Sequence, residues 1–336
     1  MRAIVVEDEE LAAERLVPFT LNGFPYGDFH QPVVKHRVYE PTWADRLRGD
    51  YTIRLAGCLD RLLPQGIAGS ISTLPLGWRD CLNDEQFAQR CADELKRVAV
   101  ALDELLQRTG REIVVGLEPE PGCAFDTAAG IARFFGRYLA GDSTEERQRL
   151  SRHLGVCHDI CHSAVMRESQ AHAFRTYRDH GLRVAKIQVS SAIRLRLEPH
   201  EEGSRQALDE LRSFAEDRYL HQTTIAIDGG EVEFFDDLPA ALAQVGPHDP
   251  PQEWRIHFHV PIHHDRLGWI SSTNDEIREC LAALADLEVS VDHFEVETYA
   301  WNVLPTAHRW ERLADGIAAE MNWFRQLITR SASSRS

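Results

Sequence analysis

Seven short runs rich in Val, Ile, Phe and Thr recur along this chain, with amphipathic helical stretches between them. The runs are PFTLNG (18–23), GSISTLPL (69–76), EIVVGLEP (112–119), LGVCHD (154–159), RVAKIQVS (183–190), WRIHFHVP (254–261) and VDHFEVET (291–298). Several are apolar on both faces, the pattern of strands covered on two sides in a parallel sheet. Between them, Phe87, Cys91, Leu95, Val98, Leu102 and Leu105 recur every three or four residues and predict a helix with one buried stripe. Strand and helix in strict alternation leave few architectures open. The expectation is an α/β fold of the (β/α)8 TIM-barrel-like type.

Seven runs are one short of a closed barrel. RAIVV (2–6) offers an eighth strand leading into the helical EELAAERL, and an open or incomplete barrel is the rival. Thr273 opens a T-N-D-E capping-box spacing ahead of a helix. A last helix is expected to place Trp310, Leu313, Ile317, Met321 and Phe324 on one face. HQTTIAIDGGEVEFF (221–235) reads as a β-hairpin insertion, because Asp-Gly-Gly supplies the positive-φ residues of a tight turn. No repeat or low-complexity linker divides the chain. Residues 17–328 are therefore expected to form the barrel, after an atypical segment 1–16 and before a flexible tail 329–336.

Composition narrows the function. A net charge of −16 argues against nucleic-acid partners, which need a clustered positive surface. Seven scattered cysteines, an odd number, argue against a disulfide framework. No run of about 18 apolar residues predicts membrane insertion, and the N-terminus lacks a secretory layout, so a cytoplasmic protein with a small-molecule metabolite is expected.

In a parallel barrel the reacting groups gather at the C-terminal strand ends. Read in order, those ends carry Asn22, Glu118, Glu120, His158, Asp159, His162, Gln188, His257, His259 and Glu297. Carboxylates and histidines therefore accumulate at one rim. Glu118, Asp159, His259 and Glu297 form the candidate ligand set for a divalent cation, and such mixed ligands suit Mn, Zn, Mg or Fe without selecting among them. Glu118 and Glu297 double as candidate catalytic acid/base groups. Asn22, His162, Gln188, His257 and Trp301 are the candidate substrate contacts. A hydrogen-bonded rim with no metal remains the alternative. A zinc knuckle at Cys157 and Cys161 is disfavoured, since no second ligand pair follows.

At LEPEPG, VCHDICH, KIQVSS, HFHVP and EVETYAW the sequence resembles the xylose-isomerase-like TIM-barrel superfamily. TLNGFPYGDFH, GSISTLPLGW and VETYAWNVLP resemble a narrower group within it, the EboE metabolite-traffic proteins of the bacterial ebo cluster, from about Val17 to Leu327. The resemblance implies a sugar-phosphate isomerase/epimerase-like barrel and a functional link to prenyltransferase-like ebo cluster proteins. It implies a role in handling or exporting a small metabolite, terpenoid-derived compounds among the candidates. The superfamily's metal-ligand pattern falls on Glu118, Asp159 and Glu297. Gln188 stands where the pattern has a histidine, so His259 is expected to supply the imidazole. The group carries further strand and helix material before FTLNGFPYG, so the N-terminus is expected to be shortened. MRAIVVEDEELAAERL instead resembles the opening of a receiver domain. Two functions follow: metabolite traffic, or metal-dependent isomerase/epimerase chemistry by proton abstraction next to a carbonyl.

Overall fold

A computed structural model describes residues 11–333, apart from Ala12, Arg15, residues 245–250 and Thr298. The candidate strand 2–6 lies outside the described residues. The fold is mixed α/β, with two six-stranded sheets. Strands β1 (Thr20–Asn22), β2 (Gly69–Thr73), β3 (Ile113–Leu117), β4 (Leu154–Asp159) and β5 (Val184–Val189) follow each other in one six-stranded sheet. Strands β6 (Ile193–Leu197), β7 (Thr223–Ile227), β8 (Val232–Phe235), β9 (Gln252–Ile256), β10 (Arg266–Leu267) and β11 (Ile270–Ser272) form a second sheet. β12 (Phe294–Val296) closes the order of the first, β1-β2-β3-β4-β5-β12. The chain divides into two compact units, one mainly Met1–His158 and the other mainly Asp159–Arg175, Gln188–Ser290 and Glu295–Ser336.

In the first unit β1, β2, β3 and β4 pair in parallel, and every residue of β2, β3 and β4 is buried. Two-sided burial is what the unbroken apolar run of β3 predicts, and β2 and β4 share it although they carry Ser, Thr, His and Asp. The helix Glu85–Thr109 starts on Asp84, whose side chain accepts the Gln86 N–H, and stops at Gly110 in the left-handed region (φ 73°). It buries Cys91, Leu95, Val98, Leu102 and Leu105 as expected, with Phe87 half-buried at the edge of the stripe. The LNGFPYG turn is clamped from below by buried Arg48, which donates to the carbonyls of Gly23 (3.2 Å) and Phe24 (2.9 Å). Gly155 is obligatory in β4, because a Cβ there would run into the Arg183 carbonyl oxygen.

The second unit is antiparallel where the sequence pattern predicts a parallel strand. WRIHFHVP becomes β9 only to Ile256, paired antiparallel with β6 and with β7. The reason is local: Trp254 and Ile256 are buried, while Glu253 and Arg255 alternate as half-buried residues. That is the one-faced pattern of an antiparallel strand. The 221–235 hairpin forms as expected, β7 on β8, with Gly229 at φ 75° in its turn. A core of Trp254, Phe258, Phe214, Leu211, Ile256 and Leu304 fills the unit.

Two further expectations are corrected. The capping box at Thr273 does not form: Thr273 Oγ1 accepts the Ala192 N–H at 2.9 Å, and the helix Asp275–Asp286 begins after Asn274 with no side-chain cap. The last helix, Leu313–Ser333, buries Glu320 and Phe324, whereas Leu313 and Met321 are exposed. Trp310 precedes the helix and is also exposed. Among the described residues no helix is long and apolar enough to cross a membrane.

Candidate metal centre

β4 runs out at Asp159 and the chain turns at once into the short helix Ile160–Val165. Asp159 makes that turn. Its Oδ1 accepts the His162 N–H at 2.9 Å and the Ser190 hydroxyl at 2.8 Å. Ser190 Oγ in turn accepts the Cys161 N–H at 2.9 Å. Because one oxygen carries both bonds, Asp159 Oδ2 is buried with no hydrogen-bond partner.

His257 and His259 come from the extended segment after β9. Its backbone is fixed by the His257 N–H on Gln222 O (2.8 Å) and the Val260 N–H on Ser191 O (3.0 Å). His257 Nδ1 lies 2.7 Å from Gln222 Oε1. A carbonyl oxygen only accepts, so Nδ1 carries the proton and Nε2 presents a lone pair. That lone pair faces His162 Nε2 at 3.1 Å. The contact is a hydrogen bond in which His162 Nε2–H donates to His257 Nε2, and Gln222 fixes the His257 tautomer that accepts it.

His259 completes the group. Its Nε2 lies 4.0 Å from Asp159 Oδ2 and its Nδ1 3.3 Å from Glu297 Oε2, yet neither nitrogen makes a hydrogen bond. Asp159, His162 and His259 each offer a ligand atom within 4.8 Å of the others, and so do Cys161, His257 and His259. Burial, reinforced by His162, His259 and His221, holds His257 well below the usual imidazole range. Burial likewise lowers His259 to about 4, Asp159 opposing and His162 adding to the fall. Both are neutral at pH 7, the form that binds metal. Burial pushes the Asp159 carboxyl up, but His162, His259, the His162 N–H and the Ser190 hydroxyl bring it below the ordinary carboxylate range. An ionised carboxylate oxygen and two imidazole nitrogens without partners are costly to bury. A divalent transition ion held by Asp159, His162 and His259 fits this donor set, with His257 beside it against His162.

Of the residues singled out from sequence, Asp159, His162, His257, His259 and Glu297 converge in the second unit. Gln188 is fully buried at the end of β5, also in that unit. Trp301 is buried and donates its indole N–H to Glu320 Oε2 at 3.0 Å. Glu118 and Asn22 belong to the first unit. Glu118 is buried just after β3, and Asn22 is exposed, its Oδ1 accepting the Phe24 N–H at 3.0 Å. His158 faces the Tyr177 hydroxyl at 3.2 Å. Sequence reasoning placed His257 among the substrate contacts and set Cys161 aside; the structure puts both with the ligand atoms. The HFH alternation, which sends His257 and His259 to one side of an extended segment, was the available signal for the pair.

No family model and no curated protein matches the chain. Among solved structures, one described as a D-tagatose 3-epimerase-like protein aligns with a TM-score of 0.47 at 12% identity, covering 98% of this chain and 83% of that chain. One described as SacUVDE aligns with a TM-score of 0.27 at 16% identity, covering 63% of this chain and 75% of that chain. Neither likeness bears on what the site does.

Proposed function

We propose that this protein is a divalent-metal-dependent enzyme of the isomerase or epimerase type, moving a proton next to the carbonyl of a small hydroxylated metabolite. The observation that carries the reading is the buried convergence of Asp159, His162 and His259, with Asp159 Oδ2 and both His259 nitrogens lacking hydrogen-bond partners. Once bound, a metal ion polarises a substrate carbonyl oxygen. Asp159 supplies an anionic oxygen and His162 and His259 supply imidazole nitrogens, a set softer than the oxygen cage of Mg or Ca. Glu297 keeps 15% of its side chain exposed while His259 and Asp159 are closed off. It is the member of the group placed to meet a substrate, as the acid/base that takes or returns the proton. Facing His259 Nδ1, it also favours the tautomer that leaves Nε2 toward Asp159. Glu118 remains a candidate ligand on the strand-end pattern and the superfamily resemblance.

A second reading is metabolite traffic without turnover. Gln188 favours it, since an amide stands where the resemblance leads one to expect a histidine. Solvent deuterium exchange separates the two. Incubating metal-loaded protein with ketoses and aldoses in D2O should label the carbon next to the carbonyl, and Glu297→Gln should abolish labelling. Ligand binding with no labelling across the panel sinks the enzymatic reading and leaves the carrier.

A further inference from the structure

A second polar site lies in the same unit, on residues that the metal centre does not use. His264, Arg266, His308, Arg309 and Trp310 line an open groove of about 330 Å³, whose wall is completed by Leu267, Gly268 and Ala307. We infer that this groove binds the phosphate group of a small phosphate monoester, whose organic part rests on Trp310.

The two arginines carry charge that no ion pair among the described residues offsets, in an otherwise acidic chain. Arg266 Nη2 donates to the Trp269 carbonyl at 3.3 Å, and Arg309 Nε donates to the Leu304 carbonyl. Backbone carbonyls thus hold both guanidiniums in place without neutralising them, and neither is ion-paired among the described residues. One nearby carboxylate, Glu210, belongs to the groove wall through His308, and Asp265 is bonded away from it. Glu210 accepts the Trp269 N–H and faces His308 Nε2 at 3.2 Å. Asp265 Oδ1 accepts the Asn274 amide at 2.7 Å.

The rest of the wall suits the same ligand. His308 stacks on Phe214 with its ring at 25°, which orients the imidazole without using its remaining donor capacity. His264 lies against His263, ring centroids 4.0 Å apart, and neither nitrogen of His263 has a hydrogen-bond partner. Trp310 is 44% exposed, a large apolar surface beside the cations. Two guanidiniums offer forked donors that match a phosphate's oxygens better than a single carboxylate. The volume falls at the lower end for small-molecule sites, enough for a phosphate and a ring-sized group. This inference stands apart from the metal reading and survives its failure.

The test is isothermal titration of the full chain at low ionic strength with inorganic phosphate, phenyl phosphate and benzoate. Phenyl phosphate should bind most tightly, and added salt should weaken it. Arg266→Gln and Arg309→Gln should each cost about ten-fold in affinity, the price of one charged hydrogen-bonding group. Trp310→Ala should remove the advantage of phenyl phosphate over inorganic phosphate. Arg212→Gln, at an exposed arginine paired with Asp209, should change nothing. Equal affinity for benzoate and phenyl phosphate overturns the phosphate assignment. Unchanged binding in the folded double variant, or no saturable binding of either phosphate, overturns the site.

Discussion

Glu320 allows the electrostatics of the second unit to be tested quantitatively. Its side chain is buried, Oε1 accepts the Ile262 N–H at 2.9 Å, and Oε2 accepts the Trp301 indole N–H at 3.0 Å. Burial raises its pKa from 4.5 to about 7, against the pull of those two donors. A folded pKa above the unfolded value means that the folded state holds a proton the unfolded state has lost. The contribution to stability is complete below pH 4.5 and disappears as pH rises to about 7. A rise from 4.5 to about 7, at about 1.4 kcal/mol per pH unit, gives about 3.5 kcal/mol across that window.

Glu320→Gln removes the titration and adds one defect. The amide oxygen can accept one of the two N–H groups, while the amide nitrogen confronts the other, leaving a buried donor unpaired at about 1–3 kcal/mol. The variant should therefore be less stable than wild type near pH 4.5, and the gap should close or reverse by about pH 8. Urea unfolding of both proteins across this range measures the gap. Taking the difference cancels His259, whose lowered pKa gives the opposite slope. A gap constant within about 0.5 kcal/mol would refute the argument, because Glu320 would then ionise as it does in water.

Other predictions follow from single contacts. Trp254 is fully buried and its indole bonds Gln252 Oε1 at 2.9 Å, so Trp254→Ala should cost about 3–5 kcal/mol in urea unfolding. Gly155→Ala forces a methyl group against the Arg183 carbonyl and should lower stability by about 1–3 kcal/mol or more, read as a fall in Tm. His259 titrates at about 4 in the folded protein against 6.5 unfolded, so metal-free protein should lose stability as pH falls from 6.5 to about 4. His259→Gln should flatten that fall, and an equally steep acid profile in the variant would contradict the assignment.

The parallel half of the fold was legible because β3 is apolar on both faces and β2, β4 and β5 carry Val, Ile or Leu residues, all buried throughout. The hairpin was legible from Asp-Gly-Gly. The antiparallel half was not, although its signal was present. IRLRL (193–197) and QEWRI (252–256) alternate apolar and charged residues, the mark of one-faced strands, and the first run was not recognised as a strand at all. The last helix misled because Leu313 and Met321 continue an apolar period that the structure leaves exposed. The site was half legible. Asp159 and His162 announce themselves in one strand-to-helix turn, but His257 is 95 residues from its partner His162. No spacing rule spans that interval. Gln222, which sets the His257 tautomer, carries no sequence signal.

The most direct test of the metal centre is elemental analysis of protein purified without chelator or nickel resin, alongside His257→Ala/His259→Ala. Near-stoichiometric Zn, Mn or Fe in the wild type, lost in the folded variant, is the expected result. Wild-type protein that stays metal-free after reconstitution with each ion would contradict the centre, and the proposed proton transfer with it.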